Sequence, residues 1–401
     1  MARKNYDVVV IGGGIIGVLT TLFLSKAGMK VGLIEKGVIA SGTSSKTMSN
    51  LSLHNRMPGP EWDLAMETLK IYKNLEETFG KLFEFEVTAS LMLIDLEEKI
   101  SWAQRRVKQQ QEAGLDIEYI DAKNLRELDP SVSHIISGAA YCRSSARINS
   151  LLLCYNLARA AQSLGTEIYT NTAVTGILVK NGKVIGIKNT SGIINCEVVV
   201  NAAGPSADLI GKMVGSNLPI KKNRGHILVT QPIPPTGVRL KGECTDKKNK
   251  FKQTNIQNKK KPENKIDYNS KYDVHMVFAQ TLSGNCLIGR SGEEGKEEIE
   301  IRPEAINAII KRAEYFIPML SRVSIIRVFA GIRPYSPDGL PFLGELLDPK
   351  GFFLACGFGD KGIALGAAGA RKIANSILDS SYIVPIVFDP NRFSKTPITN
   401  N

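Results

Sequence analysis

The chain has 401 residues, 43% of them hydrophobic and 22% charged. That length suits two or three domains of ~100–200 residues, which excludes a small disulfide-held scaffold, and the apolar content excludes disorder throughout. Lys and Arg outnumber Asp and Glu by 51 to 39, a formal charge of +12, which admits nucleic acid, membrane or anionic substrate as partner and leaves open where the charge sits.

The first segment to carry a pattern is residues 6–11, YDVVVI, a short β-branched run bounded by glycine and read as a buried strand. It runs into Gly12-x-Gly14-x-x-Gly17. In that spacing the first glycine permits the tight turn, the second the close approach of a diphosphate, and the third the packing of a helix on the sheet. The helix extends from about Gly14 to Lys26 and stops at Ala27-Gly28. Its amino terminus, with Ile15 and Ile16, offers N–H groups and partial positive charge to phosphates. A second strand, MKVGLIE, ends in Glu35, 18 residues past Gly17. That is close to the ~20 expected of a carboxylate that accepts ribose hydroxyls, and an acid there disfavours a 2′-phosphate. Strand, glycine turn, helix, strand and acid together specify a dinucleotide site far better than the glycines alone.

Val8–Leu24 also imitates a signal peptide or anchor, since Arg3 and Lys4 precede 17 nearly apolar residues. Its length is short for a span and its four glycines weaken a helix across the first half. A soluble, cytoplasmic protein is expected. The six cysteines, at 142, 154, 196, 244, 286 and 356, have no metal or CxxC spacing and suit reduced core thiols.

Beyond Glu35 and Lys36, the loop KGVIASGTSSKT supplies Ser41, Thr43, Ser44 and Ser45 as donors to a diphosphate. Helical spacing follows at Trp62, Ala65, Leu69, Tyr72, Leu75 and Phe79, and again at Leu151, Cys154, Ala158, Ala161 and Leu164; both stripes read as core faces. Residues 84–95 and 274–290 read as strands of a mostly antiparallel sheet. Between 166 and 204 three strands are expected: TEIYTNTAV, GILVKNGKVIGIKN and EVVVNAAG. Residues 241–272 hold ten lysines, four acids and five asparagines, half of the formal charge, and read as a solvated insertion. Without arginine and with few aromatics the segment does not suit nucleic acid. Roles as a lid, a partner-docking segment or an anionic membrane-surface contact stay open, though membrane association is not expected.

At this point the chain resembles the D-amino-acid oxidase-like flavoproteins, which include glycine and sarcosine oxidases and D-amino-acid, proline and hydroxyproline dehydrogenases. The resemblance rests on DVVVIGGGIIG (7–17), LIEKG (33–37), ASGTSS (40–45), VVVNAAGPSADLIG (198–211), GHILVT (225–230), GIRPYSPDGLPFLG (331–344) and GFGDKGIALGAAG (357–369), in family order. It implies an α/β fold: a Rossmann-type FAD domain with a discontinuous α+β substrate domain on a mostly antiparallel sheet. The FAD domain is expected at 1–85, 145–224 and 326–401, and the substrate domain at 86–144 and 225–325. It implies FAD held non-covalently, with Val174, Ala203 and Gly204 added to the nucleotide contacts. It also implies Arg333 as carboxylate clamp or flavin neighbour, carried by strand VFAG (328–331) to the sheet's carboxyl end. Gly359, Lys361, Gly362 and Ile363 are implied at the flavin's pyrimidine edge. The expected activity is oxidation of a small amino or imino acid, with hydride passing from the α-carbon to flavin N5 and an imine as product. Oxygen or an electron-acceptor partner would take the electrons, and an oligomer is admitted.

Departures from the family are visible. Glycine oxidases carry arginine where this chain aligns Asp360, and Lys46-Thr47-Met48-Ser49-Asn50 replaces a small-residue run. No cysteine lies between 287 and 355, so flavin attachment through a cysteine there is not expected. The oxygen-activating lysine of sarcosine oxidases aligns near Leu287. Two alternatives remain: a 2-hydroxy-acid or polyol-phosphate dehydrogenase, for which His54 is the candidate base, and a flavoprotein subunit of a multi-subunit dehydrogenase. The histidines at 54, 134, 226 and 275 form no metal-binding pair, so metal chemistry is not expected.

Overall fold

The computed structural model describes residues 4–244 and 271–393. Two sheets form its frame. The first has the order Phe342–Glu345, Phe352–Cys356, Gly192–Asn201, Lys4–Ile11, Val31–Ile34, Glu167–Tyr169, and the hairpin Val174–Lys180/Lys183–Asn189 joins it at Gly192–Asn201. The strands from Phe352–Cys356 to Glu167–Tyr169 pair in parallel. Helices cover such a sheet on its faces, so its strands are apolar throughout; Val8, Val9, Val10, Leu33, Val199 and Val200 are all buried. The helices Ile15–Lys26, Pro60–Phe79, Ser150–Ser163 and Gly362–Leu378 share one core with the first strand.

The second sheet has ten strands, all antiparallel in pairing except Leu240–Glu243 beside Glu86–Ile94. Helix Pro303–Phe316 packs on it through Ala305, Ala308, Ile309, Ala313 and Phe316. The chain visits this sheet at 50–51, 86–147, 221–243, 277–294 and 325–335, so it is assembled from discontinuous segments. This is the expected α/β architecture with a mostly antiparallel second sheet. Lys221–Pro232 and Ile325–Tyr335 pair along nearly their whole length, and the boundaries expected at 224/225 and 325/326 fall inside that ladder.

Local differences have physical causes. Helix Ser150–Ser163 buries Leu153, Cys154, Leu157, Ala158 and Ala161, whereas Leu151 and Leu164 are exposed. Leu151 lies in the first turn and Leu164 past the last, where Gly165 at φ +93° ends the helix. The Lys/Asn-rich segment begins later than its composition suggests. Residues 240–243 are a buried strand, and Lys241 is buried because its ammonium pairs with Asp129 at 2.9 Å and donates to the Thr236 carbonyl. Tyr272 is also buried; the rest of that expected insertion, 245–270, lies outside the described residues. The Val8–Leu24 run is a strand followed by a helix, and among the described residues no helix is long and apolar enough to cross a membrane. All six cysteines are buried free thiols.

Candidate active site

The glycine turn is shaped by the backbone contacts it must allow. A Cβ on Gly12, at φ +113°, would stand 2.4 Å from the Ala202 carbonyl oxygen. A Cβ on Gly17 would stand 1.8 Å from the Gly12 carbonyl oxygen. Helix Ile15–Lys26 therefore starts directly against the strand end. Its N-cap, Gly14, supplies no side-chain cap, so the first-turn N–H groups look outward. The Ile15 N–H donates to Ser44 Oγ at 3.0 Å, and the Ser44 hydroxyl keeps its own proton to donate.

A second helix terminus meets the first. Gly366 lies so close to Ile16 that a Cβ would stand 2.4 Å from Ile16 Cδ1. Helix Gly362–Leu378 thus packs on helix Ile15–Lys26 with both amino termini at one cavity. Helix Pro60–Phe79 fixes it there: Tyr72 donates to the Ile363 carbonyl at 2.8 Å, and the Ala368 N–H donates to Thr68 Oγ at 3.1 Å. Two amino termini whose N-cap residues, Gly14 and Lys361, supply no side-chain cap give one region of positive potential, suited to anionic groups.

The cavity between the sheets has a volume of about 1540 Å³, larger than the ~300–1,000 Å³ of a small-ligand pocket. It is lined by Gly12, Gly14, Ile15, Ile16, Glu35, Lys36, Ser41, Thr43, Ser44, His54, Val174, Ala203, Gly204, Arg333, Gly359, Lys361, Gly362 and Ile363. Of the residues expected from sequence, Gly17 and Ser45 are not in the lining. Gly17 packs beneath the turn, and Ser45 Oγ donates to the Gly42 carbonyl at 3.0 Å. Thr43 donates to the Ile332 carbonyl at 2.6 Å, which ties the hydroxyl-rich loop to the strand of Arg333. Glu35 accepts from the N–H groups of Gly13 and Gly37 at 2.6 and 2.7 Å, an arrangement that orients the carboxylate at the cavity wall. Lys36 donates to Ser206 Oγ at 3.0 Å. These residues fit a dinucleotide: a glycine cradle that a Cβ would fill, a helix terminus whose N-cap glycine has no side chain and an oriented acid, in a cavity of about 1540 Å³.

Arg333 differs from expectation in the sheet that carries it. Strand Ile325–Tyr335 belongs to the second sheet, where it pairs with Lys221–Pro232, and not to the parallel one. Arg333 is 8% exposed. Its Nη1 donates to the Ser291 carbonyl at 2.8 Å and to Asn223 Oδ1 at 3.2 Å. Burial, and then the neighbouring Arg290 cation, push its pKa below the ordinary arginine range. Lys361 is paired with Glu61 and donates to the Gly339 carbonyl at 3.1 Å, so its charge is already engaged.

Four arginines of the cavity, Arg56, Arg105, Arg106 and Arg290, carry no sequence motif. Arg290 follows strand Asn285–Gly289, with Nη1 3.8 Å from Asp360 Oδ2. Burial works against its charge, but Asp360, Tyr335, Asp273 and Glu243 outweigh that and raise its pKa. Arg56 pairs with Glu61 at 3.1 Å and is depressed by burial, which Glu61 and Asp360 partly offset. The available signal was a cation closing an apolar strand, CLIGR, and one after the short turn at His54. Loop residues 357–361 bring Asp360 to this group: the Gly359 N–H donates to the Pro334 carbonyl at 2.7 Å, and a Cβ on Gly359 would meet the Tyr335 ring at 2.5 Å.

His54 is 1% exposed, and burial, with the cations of Arg106 and Arg56, lowers its pKa to about 3. Its Nδ1 lies 2.6 Å from Ser90 Oγ, which lies 2.7 Å from Ser145 Oγ, which accepts the Leu53 N–H at 3.1 Å. The Ser145 hydroxyl also has the Cys142 Sγ at 3.8 Å as an acceptor, so it can accept from both the Leu53 N–H and Ser90. Among the described residues no group of His, Cys, Asp and Glu could hold a metal ion.

A family model described as FAD dependent oxidoreductase matches residues 7–376. The chain is 27% identical to hydrogen cyanide synthase subunit HcnC of Pseudomonas protegens, covering 98% of each. It is 25% identical to glycine oxidase of Bacillus subtilis, covering 94% of each. The fold superposes on L-proline dehydrogenase from P. horikoshii with a TM-score of 0.84 at 24% identity, covering 98% of each chain. With the glycine cradle, the acid and the paired helix termini in place, the chain belongs to the FAD-dependent oxidoreductases of the DAO family.

Proposed function

We propose that this chain oxidises a small amino or imino acid at its CH–NH bond. The candidates are glycine, sarcosine, a D-amino acid or a proline-type imino acid, and the product is an imine that water then hydrolyses unless it is a stable cyclic imine. The observation that carries this reading is the buried guanidinium of Arg333, anchored through Nη1 in the same cavity as both helix termini. The rest of its fork is left to bind a carboxylate bidentately. Gly12, Gly14, Ile15, Ile16 and Ser44 would hold the diphosphate, and Glu35 the ribose. Lys36, Val174, Ala203 and Gly204 would hold the adenosine end, and Gly359, Lys361, Gly362 and Ile363 the flavin's polar edge. Bound FAD supplies the two-electron acceptor for the hydride that leaves the substrate α-carbon. The protein's share is orientation by Arg333 and exclusion of water by the walls between the two sheets.

The state of His54 favours an amine over an alcohol. A hydroxy acid needs a base for its hydroxyl proton, and a neutral amine does not. With its pKa lowered to about 3 by burial and by the Arg106 and Arg56 cations, His54 is a weak base. Turnover of the holoenzyme with an artificial acceptor should therefore be seen with amino or imino acids. Turnover with 2-hydroxy acids or polyol phosphates alone would overturn this reading.

A second reading concerns assembly. Relatives named as subunits, HcnC and sarcosine oxidase subunit beta of Rhodobacter capsulatus, are matched over 90% or more of this chain. Electrons passing to a partner protein instead of oxygen would fit them. Full activity of the single purified chain with oxygen would dispose of this second reading.

A further inference from the structure

The end of strand Ile325–Tyr335 meets the loop that precedes helix Gly362–Leu378. Tyr335 faces Phe358 in an antiparallel bridge, and the Gly359 N–H donates to the Pro334 carbonyl at 2.7 Å. One step further in that register, Asp360 comes opposite Arg333. Residues opposite each other on antiparallel chains share a face, with Cβ atoms ~4.5–5.5 Å apart. Arg290 closes the group: Arg333 Nη1 donates to the carbonyl of Ser291, the next residue, and Arg290 Nη1 stands 3.8 Å from Asp360 Oδ2. Burial and Arg290 lower the Arg333 pKa, and the Asp360 carboxylate works against them. Arg290, Arg333 and Asp360 all line the cavity, and the Asp360 side chain is 30% exposed.

An α-amino acid carries its amine and its carboxylate on one carbon. A group that takes the amine must therefore adjoin the group that takes the carboxylate. Four other carboxylates among the described residues line the cavity, and each is held elsewhere. Glu35 accepts the Gly13 and Gly37 N–H groups at the glycine turn. Glu61 bridges Arg56 and Lys361. Glu243 accepts from Arg312 and from the Met276 N–H, and lies 2.8 Å from His275. Glu297 lies 3.2 Å from Lys222. Asp273 also acts on Arg333, but it is outside the cavity lining and lies 3.0 Å from His275. Asp360 is the cavity carboxylate set in register with Arg333. Its separation from Arg290 exceeds the ~2.7–2.9 Å of a charge-assisted hydrogen bond. A carboxylate has about four lone-pair positions, so Asp360 can accept an N–H beside the contacts it already makes.

We propose that Asp360 makes the site selective for nitrogen: it accepts an N–H of the substrate while Arg333 takes the carboxylate. This rests on the reading that Arg333 is the carboxylate clamp of an amino-acid oxidising site. The ammonium form gains a charge-assisted bond. The neutral amine that reacts keeps an N–H for the same oxygen, and its lone pair is left to form the imine.

The test titrates the FAD-loaded enzyme with pivalate, 2-hydroxyisobutyrate and 2-aminoisobutyrate at equal ionic strength and reads the perturbation of the flavin spectrum. The three differ only in a methyl, hydroxyl or ammonium group on Cα, and none has an α-hydrogen to lose. 2-Aminoisobutyrate should bind at least about tenfold tighter than pivalate. Asp360→Asn and, separately, Asp360→Ala should bring that ratio below about threefold, with pivalate bound at least as tightly as before. A merely structural role would weaken both ligands together. Equal affinities in the wild type, a ratio that survives both substitutions, or parallel loss of both ligands would overturn the proposal and leave amino-acid oxidation intact. Tightest binding of 2-hydroxyisobutyrate, together with turnover of hydroxy acids only, would instead overturn the amine reading itself. Perturbation by none of the three would remove Arg333 as the clamp, and the proposal with it.

Discussion

The guanidinium of Arg333 occupies the space that a side chain at Gly225 would need. A Cβ on Gly225 would stand 2.0 Å from Arg333 Nη2 and 2.2 Å from Cζ. The two residues lie on paired strands, Gly225 opposite Gly331, so the glycine opens a slot through which Arg333 reaches Ser291 and Asn223. Gly225→Ala should displace the clamp without touching its charge. Apparent affinity for the substrate carboxylate should fall about 10- to 100-fold, near 1.4–2.8 kcal/mol. FAD affinity should stay within about threefold. Substrate titration beside flavin titration separates the two, and unchanged substrate affinity would remove Arg333 from the clamp.

Gly17 tests the cradle. Its Cβ would overlap the Gly12 carbonyl at 1.8 Å, and neither backbone can yield without moving the turn. Gly17→Ala should cost roughly 1–3 kcal/mol or more in stability and leave the protein without bound flavin. Ser44→Ala, which removes only the hydroxyl that accepts the Ile15 N–H, should weaken FAD about 2- to 12-fold, the range of one hydrogen bond at ~0.5–1.5 kcal/mol. Flavin fluorescence on titration into apoprotein measures both.

Two histidines should respond to pH in opposite senses. His54 is depressed by burial, then by Arg106 and Arg56, so below pH 6.5 the unfolded chain binds its proton and the folded chain does not. Its contribution is therefore lost as pH falls from 6.5 towards about 3. His275 lies between Asp273 and Glu243 at 3.0 and 2.8 Å, and these outweigh burial to raise its pKa. Its contribution is full below 6.5 and is lost as pH rises through its folded value. Compared with wild type, His54→Gln should lose less stability between pH 7.5 and 5. His275→Gln should cost more at pH 5.5 than at pH 8.5. Thermal melts of both variants across pH decide it; parallel curves would contradict the assigned states.

Lys241 and Asp129 form a pair with both side chains fully buried. Asp129 also accepts from the Val238 N–H and from Ser131. Asp129→Ala strands a buried ammonium and should cost about 3–5 kcal/mol. Denaturant unfolding reads the loss, and a cost below about 1 kcal/mol would contradict the burial of the pair.

Where the sequence revealed the site, it did so through local spacing. The glycine turn, its helix and Glu35 lie within 30 residues, and each glycine answers a backbone contact visible as a pattern. Helix Gly362–Leu378 was legible for the same reason. Arg56, Arg290 and Asp360 were not read as one group, because three separate segments bring them together. Asp360 was noticed as a departure, yet its partner Arg290 closes an ordinary apolar strand. Arg333 lines the cavity, but its strand lies in the second sheet and not in the parallel one. VFAG is too short to show that its strand runs from Ile325 to Tyr335 and pairs with Lys221–Pro232. Lys241 was counted with a solvated run because only the fold supplies Asp129, 112 positions earlier.

Oxidation of a CH–NH bond by bound FAD is tested most directly by mixing the loaded enzyme, without oxygen, with glycine, sarcosine, D-amino acids, L- and D-proline, hydroxyproline and 2-hydroxy acids. Loss of the oxidised-flavin band with an amino or imino acid, and none with the hydroxy acids, is the expected result. Bleaching by hydroxy acids alone, or a protein that neither carries nor takes up FAD, would contradict it.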